Sequence, residues 1–294
     1  MNIKVLTAAA FAATALTAAS ALAYTPYVAP QDAWPTRNVV TVEGASTQTF
    51  YQPGVALPGN FQIATPSGGE GVINSTEVGA DMTRIGVELD APGTYRVSTG
   101  EMLGQVTPIW DFGNNTAGDP VIRPRRDGDT PPDGGASATY QSVQVATSYV
   151  TYGAPSRGAV DHNSDHLVIH PITDPDQVLQ ANGFQFEVLF NGAALTNFSA
   201  VLYGSGDPDS NVAHFINTDA NGRGAFTFTQ PGRYTIAVRK LVRAPAGGTA
   251  TVLMYTSTLT FEVMAAAHPT VTVVTSQQRQ DRARRAQDRN DWSR

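Results

Sequence analysis

The chain of 294 residues contains no cysteine. Disulfides, thiolate metal sites and a cysteine nucleophile are therefore excluded, and stability has to come from hydrophobic cores, which about 100 residues can supply. Lysine is almost missing as well: only Lys4 and Lys240 are present, so the basic residues are nearly all arginine. Charged residues make up 15%, with a formal net charge of -6. That balance argues against a nucleic-acid-binding body and is compatible with cationic partners. Beyond the N-terminus no segment is long and apolar enough to span a bilayer. Also missing are G-x-S-x-G, H-E-x-x-H, a P-loop and a dinucleotide fingerprint. The chain is accordingly read as non-enzymatic.

Glycine (27) and proline (19) are plentiful, and the hydrophobic fraction is 41%. This composition fits turn-rich β-sandwiches, and the length fits two domains. Residues 1–23 have the form of a secretory signal peptide. Lys4 supplies the positive n-region, Val5 to Ala19 the apolar h-region, and Ala21-Leu-Ala23 the cleavage site. The mature chain is expected to begin at Tyr24 and to reside in the periplasm, with no transmembrane segment.

Residues 24–152 are expected to form a first sandwich. Tyr24 to Pro35 reads as irregular because of Pro26, Pro30 and Pro35. Short alternating runs follow at Val39–Glu43, Gln48–Tyr51, Phe61–Thr65, Arg84–Leu89 and Thr94–Thr99. Residues 111–138 (DFGNNTAGDPVIRPRRDGDTPPDGGASA) read as a long loop carrying Arg123, Arg125 and Arg126. Tyr140–Tyr152 leads out of the domain. Residues 153–166 read as a linker and 167–265 as a second sandwich, with strands at Phe184–Phe190, Phe198–Tyr203, Ala225–Thr229, Arg233–Arg239 and Val252–Val263. The two halves echo each other: each has a strand, Pro-Gly, then a strand with tyrosine two residues after the glycine (Gly93 and Tyr95; Gly232 and Tyr234). Immunoglobulin-like sandwiches place a tyrosine at such a corner to satisfy backbone groups. Residues 266–294 form a tail; its last part, Gln277–Arg294, has six arginines against three aspartates and cannot bury a core. Attachment to anionic lipid, polysaccharide or an acidic partner is its functional alternative.

Three of the five histidines fall at the joint between the halves, in Gly153–Pro171: His162, His166 and His170, with Asp161 and Asp165 among them. Imidazole with carboxylate suits Ni²⁺, Co²⁺, Zn²⁺ or Cu²⁺, without choosing among them. His162, Asp165, His166 and His170 are the candidate metal ligands. On a straight strand His166 and His170 would lie about 13 Å apart, too far to share one ion, so convergence would need a bend. Asp207-Pro-Asp-Ser-Asn211 reads as a turn rather than a calcium loop, since neither the glycine nor the bidentate glutamate follows. Trp34 and Trp110 are candidate sugar-stacking platforms.

Several stretches together carry a family resemblance: Val40-Thr-Val-Glu43, Leu89-Asp-Ala-Pro-Gly-Thr-Tyr-Arg-Val-Ser-Thr-Gly-Glu101, Ser148-Tyr-Val-Thr-Tyr-Gly-Ala-Pro155, Leu167-Val-Ile-His-Pro-Ile-Thr-Asp-Pro175, Phe184–Gly192, Thr218–Arg223 and Tyr255–Val263. Over roughly residues 24–265 the chain resembles a bacterial exported family of unknown function often labelled a periplasmic nickel- or cobalt-uptake component. The resemblance implies a two-domain β protein assisting transition-metal uptake beside an outer-membrane receptor or transporter. Its second half is similar to transthyretin-like modules. Family members often begin the mature chain with histidine; here that position is Tyr24.

The sequence is thus read as an exported, all-β protein of two tandem immunoglobulin- or transthyretin-like sandwiches. Its expected role is periplasmic metal-uptake accessory. A structural or interaction module of the envelope and a carbohydrate-binding or -processing protein are the alternatives.

Overall fold

The computed structural model describes residues 24–212 and 214–269, together with 273, 278, 281, 284 and 285. The expected signal peptide lies outside the described residues, as does most of the tail. Among the described residues there are nineteen strands, numbered β1 to β19 in chain order, a helical turn, α1 (Gly158–Asp161), and helical backbone at 278, 281, 284 and 285. No helix among them is long and apolar enough to cross a membrane.

The strands form three sheets. The first contains β1 (Thr25–Pro30), β2 (Val39–Thr47), β6 (Thr83–Glu88) and β5 (Ile73–Val78) in that spatial order, with β3 (Val55–Ala56) on β2. The third contains β12 (Leu167–Pro171), β13 (Phe184–Phe190), β14 (Ala193–Ala194) and β17 (Arg223–Phe226). Between them lies a sheet of ten strands. Its spine is β11 (Ala136–Tyr152), and one edge of that strand takes β9 (Thr107–Asn114), β8 (Met102–Leu103) and β7 (Gly93–Ser98) in succession. β10 (Pro120–Pro124) extends the sheet from β9, and β4 (Gln62–Ala64) extends it from β7. The other edge of β11 pairs in parallel with β19 (Val252–Val263), from Tyr140↔Val252 to Ser148↔Thr260. β18 (Gly232–Arg243), β15 (Ser199–Gly204) and β16 (Phe215–Asn217) complete the sheet.

The two expected sandwiches are both present, and they share this middle sheet. Alternate residues of a strand face opposite sides, and β11 uses both. Ala146 and Val150 join Val28, Val40, Val42, Ile85, Val87, Tyr95 and Val97 in the core against the first sheet. Val143 and Tyr149 join Leu167, Ile169, Phe184, Phe186, Val188, Ile236, Leu259 and Phe261 in the core against the third. A smaller core, with Phe50 stacked on Tyr203 at 4.3 Å, ties the first sheet to the strands of the second half. The last eight residues of β11 are all buried, because layers cover both of their faces.

Three local expectations are corrected. Within the stretch 24–35 expected as irregular, Thr25–Pro30 is strand: β1 pairs antiparallel with β2, and all six of its residues are buried. The expected long loop 111–138 contains the end of β9, all of β10 and the start of β11. In both places proline misleads, because a missing N–H is tolerated on an edge strand; β1 and β10 are edges of their sheets. The β9–β10 turn is closed by the Asn115 side chain, which accepts the Ala117 and Asp119 N–H groups at 2.9 Å each. Residues 153–166, expected as a linker, do not separate two bodies: they fold back so that α1 packs on β7 and β12.

The sequence echo has a structural counterpart. The Tyr95 hydroxyl lies 2.8 Å from the Ala91 carbonyl and from Asp90 Oδ1, and accepts the Ala91 N–H at 2.9 Å. The Tyr234 hydroxyl donates to the Gln230 carbonyl at 3.0 Å, the same four-residue reach. Gly93 has φ 139°, and a Cβ there would sit 2.4 Å from Pro66 and 2.8 Å from Ser156 Oγ. Only glycine allows that turn to press on the returning joint.

Candidate functional site: the joint on the middle sheet

Arg157 organises the joint. It precedes α1 and reaches Asp161, one turn on, through Nη2 at 2.5 Å and Nε at 3.3 Å. The same guanidinium donates to the carbonyls of Pro171 (2.8 Å) and Ile172 (3.3 Å) and to Asp174 Oδ1 (2.8 Å). The planar fork suits several acceptors at once. It pins the start of the joint to the strand that ends it. The hydrogen bond from Arg157 holds the Asp161 carboxyl below the usual carboxylate range, with a smaller contribution from His170.

The four expected metal ligands do not converge. His170 Nε2 lies 3.0 Å from Asp161 Oδ1, and its Nδ1 lies 4.0 Å from Glu187. His166 Nδ1 lies 2.7 Å from Glu101 Oε1 and 2.9 Å from Oε2, and its backbone N–H donates to the same carboxylate. His162 is exposed just after α1. Asp165 is half-buried, and burial pushes its carboxyl up. No group of three or more His, Asp or Glu side chains in position to hold a metal ion occurs among the described residues. The reason is geometric: His166 precedes β12 and His170 lies near its far end, and each of these two imidazoles has a carboxylate of its own.

Beneath the joint is a polar centre that sequence reasoning missed. Arg96 of β7 is only 8% exposed, and its Nε and Nη1 have no hydrogen-bond partner. Asp165 Oδ2 is likewise buried without one. The two groups attract: Arg96 is the main charge opposing the upward push on Asp165. Tyr149 lies beside them, its hydroxyl pushed well above its ordinary pKa by burial. This is an arrangement that fixes charge at the junction of the halves. Glu101 and Arg96 escaped notice because they lie about 65 and 70 positions from their partners, and only the pairing of β7 with β11 brings them near.

Each of the expected stacking platforms already faces another side chain. Trp110 is 5% exposed with the Arg125 guanidinium 4.9 Å from its ring. Trp34 stacks on His268 at 5.2 Å and 12°. Asp207 and Asp209, in the turn that resembled part of a calcium loop, are engaged by the Gly204 N–H and by Arg239.

Two solved structures resemble the chain weakly. The D0-D1 domain of intimin is 14% identical, covering 80% of this chain and 96% of that one at a TM-score of 0.21. The D00-D0 domain of intimin is 11% identical, covering 81% and 99% at 0.19. At those scores the likeness bears on neither fold nor function. No curated protein matches the chain. A family model does, over residues 21–240, and by that match the chain belongs to the family described as Domain of unknown function (DUF4198).

Proposed function

We propose that this protein is a non-catalytic protein-interaction module of the cell envelope, binding a partner by strand addition at β5. One observation supports the reading: β5 is an edge strand whose residues are exposed from Asn74 to Val78, with Val78 60% exposed. The Gly79 N–H bonds the Met82 carbonyl. Antiparallel pairs alternate in direction, so Ser75 and Glu77 turn their backbone groups toward β6, while Thr76 and Val78 turn theirs outward. An open row of this kind is a template for another strand.

The metal-uptake role implied by the family resemblance draws no support from the joint, where histidines and carboxylates are paired with one another. The carbohydrate reading draws none from Trp34 or Trp110. Export to the periplasm rests on the sequence of residues 1–23.

The test is in-cell photocrosslinking with a reactive residue at Val78. A discrete protein adduct is expected, and Thr76→Pro should abolish it. That substitution removes an outward N–H and leaves the β5–β6 ladder intact. An identical adduct pattern with and without Thr76→Pro would refute the reading.

A further inference from the structure

We infer that the strand added at β5 is β5 of a second copy of this chain, antiparallel and centred on Thr76. The inference rests on the proposed interaction role and names its partner. Other edges are guarded or short: β3, β4 and β8 have two or three residues, and β17 has four and begins with Arg223. β10 carries Pro120, Pro124 and Arg123. β1 carries Pro26 and Pro30 and is buried. β14 and β16 have two and three residues, and β12 ends in Pro171 and packs against α1. β5 has six residues with no proline, lysine or arginine. Its one charge is Glu77, and on its own sheet that residue stands opposite Arg84.

The register follows from two constraints. Residues opposite each other in an antiparallel pair share a face, so a two-fold axis perpendicular to the sheet has to pass through a residue. The axis can pass through Thr76, whose own backbone groups turn outward, or through a residue flanked by two that do. Centring on Thr76 sets Thr76 against Thr76 and Ser75 against Glu77, which are hydroxyl–hydroxyl and hydroxyl–carboxylate pairs. Centring on Glu77 would place two carboxylates face to face, which is destabilising. Centring on Ser75 would run the pair into the register shift between Ile73 and Ser75. Centring on Val78, the last residue of β5, would leave only Thr76 to Val78 of the strand in the pair, so the β5 sequence matches itself best in the Thr76 register. The outcome is a continuous sheet across two copies, held by a short strip and so dependent on concentration.

The experiment is sedimentation velocity of the exported chain over a dilution series, with circular dichroism to confirm folding of each variant. The wild type should move from dimer to monomer on dilution. Thr76→Glu and Thr76→Lys should each be monomeric at every concentration, because each sets like charges against each other at the centre. An equimolar mixture of the two should form a heterodimer. A wild type that stays monomeric, a dimer that survives Thr76→Glu, or a mixture that stays monomeric overturns the inference. A monomeric wild type whose Val78 adduct is still lost on Thr76→Pro overturns this inference alone and leaves the interaction role standing.

Discussion

The His166 imidazole lies 2.7 Å from Glu101, a residue 65 positions away, and the same carboxylate takes the His166 N–H at 2.8 Å. One side chain thus fastens the joint to the first half of the chain. Glu101→Ala should release residues 162–166 while changing global stability by less than about 1 kcal/mol, since the pair is half exposed. Hydrogen exchange at the His166 amide should quicken at least about tenfold with the thermal midpoint nearly unchanged. Unchanged exchange would mean that the joint is held by Arg157 alone.

The separation of the histidines makes a second prediction. Calorimetric titration with Ni²⁺, Co²⁺, Zn²⁺ or Cu²⁺ should reveal no micromolar site that is lost in a His162, His166 and His170→Ala triple variant. Tight binding abolished by that variant would require the joint to rearrange around an ion, and would revive the metal-uptake reading.

Arg239 on β18 donates to Asp209 Oδ1 and to Thr25 Oγ1, each at 2.6 Å, with both charged side chains largely buried. Asp209→Ala leaves that guanidinium without its counter-charge. Breaking one side of such a pair costs roughly 3 kcal/mol. The double variant Asp209→Ala with Arg239→Met should recover much of the loss. Urea unfolding of the two variants and the wild type checks this, and equal destabilisation in both would show that the packing of Arg239, not its charge, matters.

The two corner tyrosines should differ in weight. Tyr95 is buried, and its hydroxyl serves both the N–H and the carbonyl of Ala91. Tyr95→Phe leaves those groups unserved and should destabilise by about 1–3 kcal/mol. The Tyr234 hydrogen bond is exposed, and Tyr234→Phe should cost less than about 1 kcal/mol. Thermal denaturation of each variant decides the order.

Asp176 sets a pH dependence. It is 3% exposed, Thr151 donates to its Oδ2 at 2.8 Å, and its Oδ1 is buried without a partner. Burial pushes its carboxyl above the ordinary value of 3.8. A folded pKa above the unfolded one favours the protonated folded state: its contribution is full below the ordinary value and is lost as pH rises through the raised one. Asp176→Asn mimics the neutral carboxyl. Its stability relative to wild type should rise as pH increases above about 4 and level off once the raised value is passed. Parallel urea midpoints for the two proteins across that range would show that Asp176 does not titrate as its burial requires.

Much of the architecture is legible in local pattern. The alternation in Phe184–Phe190 and the unbroken run Val252–Val263, free of glycine and proline, mark β13 and β19 at the bounds the structure gives. The repeated Pro-Gly and tyrosine mark both corners, because a corner is a local device. Proline hides β1 and β10, since whether a missing N–H matters depends on which edge of the strand is free, and that is decided only when the sheet assembles.

The candidate site was half legible. His166 and His170 could be found by their type and spacing, but Glu101, Arg96 and Arg157 gain their meaning from the strands and turn that carry them to the joint. The sequence by itself determined the all-β class, the exclusion of thiol chemistry and most strand positions, because these depend on composition and on a two-residue period. Only the tertiary structure decided that the two sandwiches share one sheet, that His166 and His170 each have their own carboxylate and that β5 is an exposed edge. Those are matters of which distant strands pair, and pairing is fixed by burial on both faces of β11 rather than by any short stretch of residues.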